Sequence, residues 1–215
     1  MTWVKICGTT NFEDALLAVD CGADAVGFVL APSKRQVTAD AVASIVHRLP
    51  PQIEKIGVFL NETPERVVEV VRQTGLTGVQ LHGMEMPWCA RHIAAASSAR
   101  VFKGIHAGPT FESDFAAWSQ EAAISALLLD SGNGQLGGGT GRIFDWNAVS
   151  VSLEPLRGNL KLIIAGGLTP GNVPAAIVKF QPWGVDVVSG VESEPGRKDP
   201  QKVREFIAAV RGLQK

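Results

Sequence analysis

Cys7 and Asp130 each stand at the end of a short apolar run, Val4-Lys5-Ile6-Cys7 in one case and Leu127-Leu128-Leu129-Asp130 in the other. A thiol and a carboxyl make a workable base and acid if the fold brings both run ends to one rim. A free thiol has an ordinary pKa of about 8.5 and is mostly protonated near neutrality, whereas a carboxyl at about 3.9 is almost wholly ionised. Base and acid work therefore asks the surroundings to favour the Cys7 thiolate and to protonate Asp130. Taken singly, each residue has a plainer reading. A free cysteine packs well in a core, and an aspartate after a strand commonly caps a turn. Placement in the fold decides between them.

The elements that would place them are legible as periodicity. Apolar runs recur around Trp3–Cys7, Ala25–Leu30, Lys55–Leu60, Gly78–His82, Arg100–Ile105, Ser125–Asp130, Lys161–Ala165 and Val185–Ser189. Continuous rather than alternating hydrophobicity is what a parallel strand buried on both faces requires. Helical stretches separate the runs. Thr10-Asn11-Phe12-Glu13 has capping-box spacing, and Thr63-Pro64, Thr169-Pro170 and Asp199-Pro200 each read as a capping residue followed by proline in the first turn. The weakest helical patterns lie near Phe111–Glu121 and Asp145–Leu153. Eight strand–helix units point to an α/β fold, a (β/α)8 TIM barrel with a parallel eight-stranded sheet, and an open doubly wound sheet is the structural alternative. No linker or shift in composition divides residues 1–215, so one barrel domain is expected. In a barrel the loops after the strands form the working face, which would gather Cys7, His82, Asp130, Gly166 and Ser189 at one end.

Composition narrows the partners. With 46% apolar and 19% charged residues and a net charge of −1, the chain has a core to bury and no basic field for nucleic acid. A small ligand fits this balance better. Three cysteines without C-x-x-C spacing favour reduced thiols, hence a cytoplasmic protein without a structural metal. No apolar stretch approaches the roughly 18 residues of a membrane span, and the N-terminus has no leader pattern.

Other residues acquire roles from the same frame. Gly166-Gly167 and Ser189-Gly190 follow the last two expected strands, where barrels often bind phosphate through backbone amides; the plainer reading is that glycine only permits the turns. Lys5 shares side-chain parity with Cys7, so it points inward one layer deeper and needs a partner there, unless parity breaks near the terminus. Gln80 and His82 also share parity, which makes His82 a rim hydrogen-bond donor to substrate or a structural histidine satisfied by backbone carbonyls, and not the base. Arg35, in Ser33-Lys34-Arg35 after the second strand, is either solvated or forks onto a substrate carboxylate. Asp145 is read as a helix cap and Asp186 as an anchor for a neighbouring element. The glycine-rich run 132–141 is too irregular for a dinucleotide fingerprint and reads as a loop.

Taken in order, Lys5-Ile6-Cys7-Gly8, Gly27-Phe28-Val29, Ser33-Lys34-Arg35, Gly57-Val58-Phe59, Gln80-Leu81-His82-Gly83, Leu128-Leu129-Asp130, Gly138-Gly139-Thr140-Gly141, Phe144-Asp145-Trp146, Ala165-Gly166-Gly167-Leu168, Gly184-Val185-Asp186 and Ser189-Gly190-Val191-Glu192 resemble the phosphoribosylanthranilate isomerase family of tryptophan biosynthesis along nearly the whole chain. The resemblance implies a cofactor-free Amadori rearrangement of N-(5-phosphoribosyl)anthranilate to 1-(o-carboxyphenylamino)-1-deoxyribulose 5-phosphate. It implies Asp130 as general acid, Cys7 as general base, Arg35 on the anthranilate carboxylate, and Gly166, Gly167, Ser189 and Gly190 on the phosphate. A phosphosugar–anthranilate substrate is the implied partner, with monomer and homodimer both open. Two positions depart from the family pattern: Met84 stands where an acidic residue is common after Gln-Leu-His-Gly, and Val188 where a second serine is common. Isomerisation of the histidine-pathway aminoaldose phosphate is the nearest alternative, but that family resembles a two-aspartate arrangement and this first strand ends in Cys7. A non-catalytic phosphometabolite-binding protein is the alternative from another class.

Overall fold

Short runs of valine, isoleucine and leucine, buried on both faces, build eight parallel strands that close on one another in sequence order. They are β1 (Trp3–Ile6), β2 (Ala25–Val29), β3 (Glu54–Phe59), β4 (Gly78–Leu81), β5 (Arg100–His106), β6 (Ala126–Asp130), β7 (Leu162–Ile164) and β8 (Gly184–Val187). This computed structural model describes residues 1–131, 145–153 and 160–213. The expected barrel is therefore what forms, and β1 pairs with both β2 and β8 to complete the ring. The strands end within a residue or two of the apolar runs; Cys7 lies just past β1 and extends its ladder by donating its backbone N–H to the Val187 carbonyl at 2.9 Å.

Helices α1 (Phe12–Asp20), α2 (Ala39–Val46), α3 (Pro64–Thr74), α4 (Pro87–Ala96), α5 (Phe111–Ser119), α6 (Trp146–Leu153), α7 (Val173–Phe180) and α8 (Pro200–Gly212) follow the strands in turn. Thr63 and Asp199 cap α3 and α8 as expected, each accepting from first-turn amides while proline occupies a position that needs no donor. Asp145 caps α6 by accepting from the amides of Asn147 and Ala148. Two expected starts are displaced. The cap of α1 is Asn11 rather than Thr10: its Oδ1 accepts from the Asp14 amide and its Nδ2 donates to the Asp14 carboxylate, which satisfies the first turn one residue later. Thr169-Pro170 opens a turn and not a helix, because Asn172 folds back, accepting from the Thr169 amide and donating to the Gly167 carbonyl, and α7 begins only at Val173. The glycine-rich run 132–141 and Phe144 lie outside the described residues.

Two apolar layers hold the barrel. One lies between strands and helices. The other is the floor of the barrel itself, where Trp3, Ile56, Phe102, Leu128 and Ile163 meet, with Trp3 stacked at 5.1 Å on Trp183. Above that floor the inward residues turn polar: Lys5, Gln80, Asp130 and Asp186 are all buried. A barrel core normally fills with branched aliphatics, so this polar upper storey marks the end of the barrel where chemistry is placed. Beyond β8 a three-residue 3-10 turn, Ser189–Val191, leads to a small antiparallel hairpin of β9 (Glu192–Glu194) and β10 (Arg197–Lys198). Among the described residues no helix is long and apolar enough to cross a membrane.

Candidate active site

At the C-terminal ends of the strands a cleft of about 700 Å3 of empty space, counted out into open solvent, is lined by Cys7, Arg35, His82, Asp130 and Asp186 together with the loops after β7 and β8. The thiol and the carboxyl singled out from the sequence thus share one cavity.

On the thiol side, room for the sulfur comes from Gly27 on β2. A Cβ there would stand 2.5 Å from Cys7 Sγ and 2.8 Å from Lys5 Cε, so any side chain would displace both. Lys5 points inward, as its parity with Cys7 requires, and lies opposite Asp186 in the β1–β8 register. Its ammonium sits 3.3 Å from Asp186 Oδ2 and donates to Gln80 Oε1 at 2.6 Å. Burial pushes the Cys7 thiol up; the Lys5 charge pulls it down by less, the Asp186 carboxylate adds to the rise, and Lys198 gives a smaller downward pull. Burial likewise raises the Asp186 carboxyl against the pull of Lys5. Burial works against the Lys5 ammonium too, yet its attraction to Asp186 and Cys7 leaves it above its ordinary value. One buried positive charge therefore faces two groups that compete to be its counter-anion, and the thiolate gains where Asp186 holds the proton. Asp186 thus anchors the neighbouring strand β1 through Lys5, as read from the sequence, and also lines the cleft.

This competition gives a chemical test. Only the thiolate is nucleophilic, so alkylation of Cys7 by iodoacetamide quickens as pH rises through neutrality. Asp186→Asn removes the competing anion and speeds alkylation at pH 7 by about tenfold, one pKa unit's worth of thiolate, while Lys5→Met slows it. Mass-spectrometric rates at Cys7 decide the point; unchanged or slower alkylation in Asp186→Asn refutes it.

On the carboxyl side, Asp130 ends β6 opposite His106 on β5. His82 Nε2 lies 3.2 Å from Asp130 Oδ2, and His82 Nδ1 lies 3.0 Å from Gln80 Nε2. These partners are side chains, so the reading of His82 as a histidine satisfied by backbone carbonyls is corrected. Its ring occupies space that Gly104 leaves open, since a Cβ at 104 would stand 2.3 Å from His82 Nδ1, and it meets His106 edge-on at 5.3 Å.

At the rim, Arg35 is neither solvated nor free. Its Nε and Nη2 fork onto the Glu192 carboxylate at 2.8 and 2.6 Å. Its stem crosses Gly8, where a Cβ would stand 2.7 Å from Arg35 Cδ and where φ is +73°. Lys198, buried on the hairpin, donates to the Cys7 carbonyl at 2.6 Å and reaches the same Glu192 at 3.2 Å. Burial would raise the Glu192 carboxyl, but the Arg35 hydrogen bonds and the Lys198 charge carry it below the ordinary range. Two cations on one anion leave the rim with a surplus positive charge next to Cys7. Sequence reading missed Lys198 altogether, and Glu192 only formed part of a motif.

The loops after β7 and β8 face each other across the other side of the cleft. Gly166 and Gly167 hold φ of +80° and +66°, the left-handed region in which side-chain-bearing residues are strained. A Cβ on Gly166 would also stand 2.4 Å from the Ser131 amide nitrogen. Ser189 lines the cleft, whereas Gly190 sits one step behind it, with its backbone so close to the β7 loop that a Cβ would fall 1.8 Å from the Leu168 carbonyl oxygen. Met84, the departure after Gln-Leu-His-Gly, is 81% exposed, and the neighbouring Glu85 supplies the carboxylate instead. It accepts from the amides of Asn61 and Gly83 and pairs with Lys103 at 2.9 Å.

The family model described as N-(5'phosphoribosyl)anthranilate (PRA) isomerase matches residues 4–209. The N-(5'-phosphoribosyl)anthranilate isomerase of Pelobacter propionicus is 46% identical over 208 residues, covering 96% of this chain and 94% of its own. Among solved structures, monomers of the dimeric phosphoribosylanthranilate isomerase of Thermotoga maritima match with a TM-score of 0.84 at 39% identity, over 99% of this chain and 100% of that one. A phosphoribosyl anthranilate isomerase in complex with reduced 1-(o-carboxyphenylamino)-1-deoxyribulose 5-phosphate matches with a TM-score of 0.83 at 39% identity, over the same shares of the two chains. Barrel, cleft and near-complete sequence coverage agree: this chain belongs to the N-(5'-phosphoribosyl)anthranilate isomerase family.

Proposed function

We propose that this chain, as a single unit over residues 1–215, catalyses the Amadori rearrangement of N-(5-phosphoribosyl)anthranilate to 1-(o-carboxyphenylamino)-1-deoxyribulose 5-phosphate in the cytoplasm. The observation that carries the reading is the placing of Cys7 and Asp130 in one cleft between a cationic rim and two glycine-bearing loops. Asp130 gives its proton to the furanose ring oxygen as the C1–O bond breaks and the anilino nitrogen lone pair forms the iminium. The Cys7 thiolate then removes the proton at C2, and that electron pair makes the C1–C2 double bond of the enolamine while nitrogen recovers its own pair. The enolamine relaxes to the ketone by gaining a proton at C1 and losing one from the 2-hydroxyl, so protons balance over the cycle and no redox partner is needed.

Binding at both ends holds the sugar between the two groups, which is how positioning lowers such a barrier. Arg35 keeps Nη1 beyond the fork made with Glu192 and meets the anthranilate carboxylate there. Backbone amides of Gly166, Gly167, Ser189 and Gly190 take the phosphate. His82, whose two ring nitrogens meet Gln80 and Asp130, supports the acid rather than donating to the sugar itself. A fluorescence assay of freshly generated N-(5-phosphoribosyl)anthranilate on the intact protein tests the whole reading. Turnover without added metal or cofactor is the expected result; saturable binding without turnover would replace it with a phosphometabolite-binding role.

A further inference from the structure

Five buried polar side chains run in one line across the barrel above its apolar floor. Asp186 Oδ2 meets Lys5 Nζ at 3.3 Å, and Lys5 Nζ meets Gln80 Oε1 at 2.6 Å. Gln80 Nε2 then meets His82 Nδ1 at 3.0 Å, and His82 Nε2 meets Asp130 Oδ2 at 3.2 Å. The line joins the thiol side of the cleft to the carboxyl side, and the mechanism above uses only its far end.

Hydrogen-bond polarity along the line is fixed from one end. An ammonium has donors and no acceptor, so the Gln80 atom facing Lys5 must be the carbonyl oxygen. That turns the Gln80 amide NH2, which can only donate, toward His82. Nδ1 of His82 must then present its lone pair, and the ring proton sits on Nε2, aimed at Asp130. A proton on Nδ1 would set donor against donor in a site where an unmade bond is expensive.

The tautomer matters for the acid. With an N–H directed at Oδ2, the proton that Asp130 carries has its place on Oδ1, the oxygen that Ser131 Oγ also approaches at 3.4 Å. In the opposite tautomer the Nε2 lone pair would accept that proton from Oδ2, holding it on the histidine side. We propose that Gln80 is a positioning residue for the reaction, anchored by Lys5, which fixes the His82 proton on Nε2 and so leaves the Asp130 proton free to go to substrate. This rests on the reading of Asp130 as the general acid.

The test uses the intact protein with 15N-labelled histidine and the isosteric variant Gln80→Glu. A carboxylate at 80 accepts both from Lys5 and from an Nδ1–H, which reverses the tautomer. In the wild type the His82 15N signals are those of a protonated Nε2 and a bare Nδ1; in Gln80→Glu, Nδ1 becomes protonated, kcat falls at least about tenfold and KM stays within about threefold. A wild-type His82 protonated on Nδ1 overturns the inference. So does a Gln80→Glu protein whose tautomer is unchanged, or one whose tautomer reverses with kcat intact. If Gln80→Glu gives no cooperative melt, Gln80→Met serves, since it keeps length and removes the donor. Mixed His82 tautomers with reduced kcat then support the inference, and an unaltered Nε2 proton defeats it. Failure of the acid assignment shows separately, as near-normal turnover in Asp130→Asn, and does not touch the resting tautomer.

Discussion

Asp130→Asn lowers kcat by about 10²–10⁴-fold, the usual worth of a positioned general acid, while the affinity for a reduced product analogue stays within about threefold. Asparagine keeps the shape of the side chain and a carbonyl oxygen to accept from His82 Nε2, so packing and binding survive. What disappears is the proton that the proposed general acid would give to the ring oxygen. A loss of that size corresponds to about 3–5 kcal/mol at the transition state. Single-turnover rates set beside equilibrium titration separate the two effects, and near-normal rates would remove Asp130 as the acid.

Cys7→Ser is expected to lose turnover on the same scale, about 10²–10⁴-fold, with binding again retained. Oxygen for sulfur changes little in volume, and Gly27 leaves room for either atom. The change is chemical: burial already raises the Cys7 thiol, and a hydroxyl begins far higher and cannot reach a basic form there. The C2 proton then stays in place. Incubating Cys7→Ser with substrate in D2O should give no deuterium at C1 on the timescale of wild-type turnover. Substantial activity in this variant would assign proton removal to another group, with Asp186 the nearest candidate.

The barrel was legible because each buried strand writes a continuous apolar run, and eight such runs separated by helical stretches permit few closures. Strand parity carried the reading as far as Lys5, which does point inward onto a carboxylate. It did not show that Asp186 also lines the cleft, because that follows from its pairing with Lys5 across the β1–β8 closure. Helix starts slipped by one to three residues where another side chain intervened: Asn11 takes the first-turn amide of α1, and Asn172 folds back onto Thr169 and Gly167 before α7 begins. The Arg35–Glu192–Lys198 cluster was hidden for another reason. It lies on a short polar hairpin without periodicity, and its contacts join residues as far apart as Cys7 and Lys198. The direction in which the Cys7 thiol shifts was equally out of reach, because it is a balance of burial, Lys5 and Asp186 that depends on side-chain positions.

Closure of β1 against β8 also sets an order of events during synthesis. The thiol leaves the ribosome about 180 residues before its wall on one side, Asp186, and about 190 before the Lys198 anchor on its carbonyl. At about 5–20 residues per second, that interval is on the order of ten to forty seconds. Throughout it, β1 has an unpaired edge and its sulfur is open to oxidants and chaperones. The nascent chain thus completes the surroundings of this sulfur only once β8 and the following hairpin have been made.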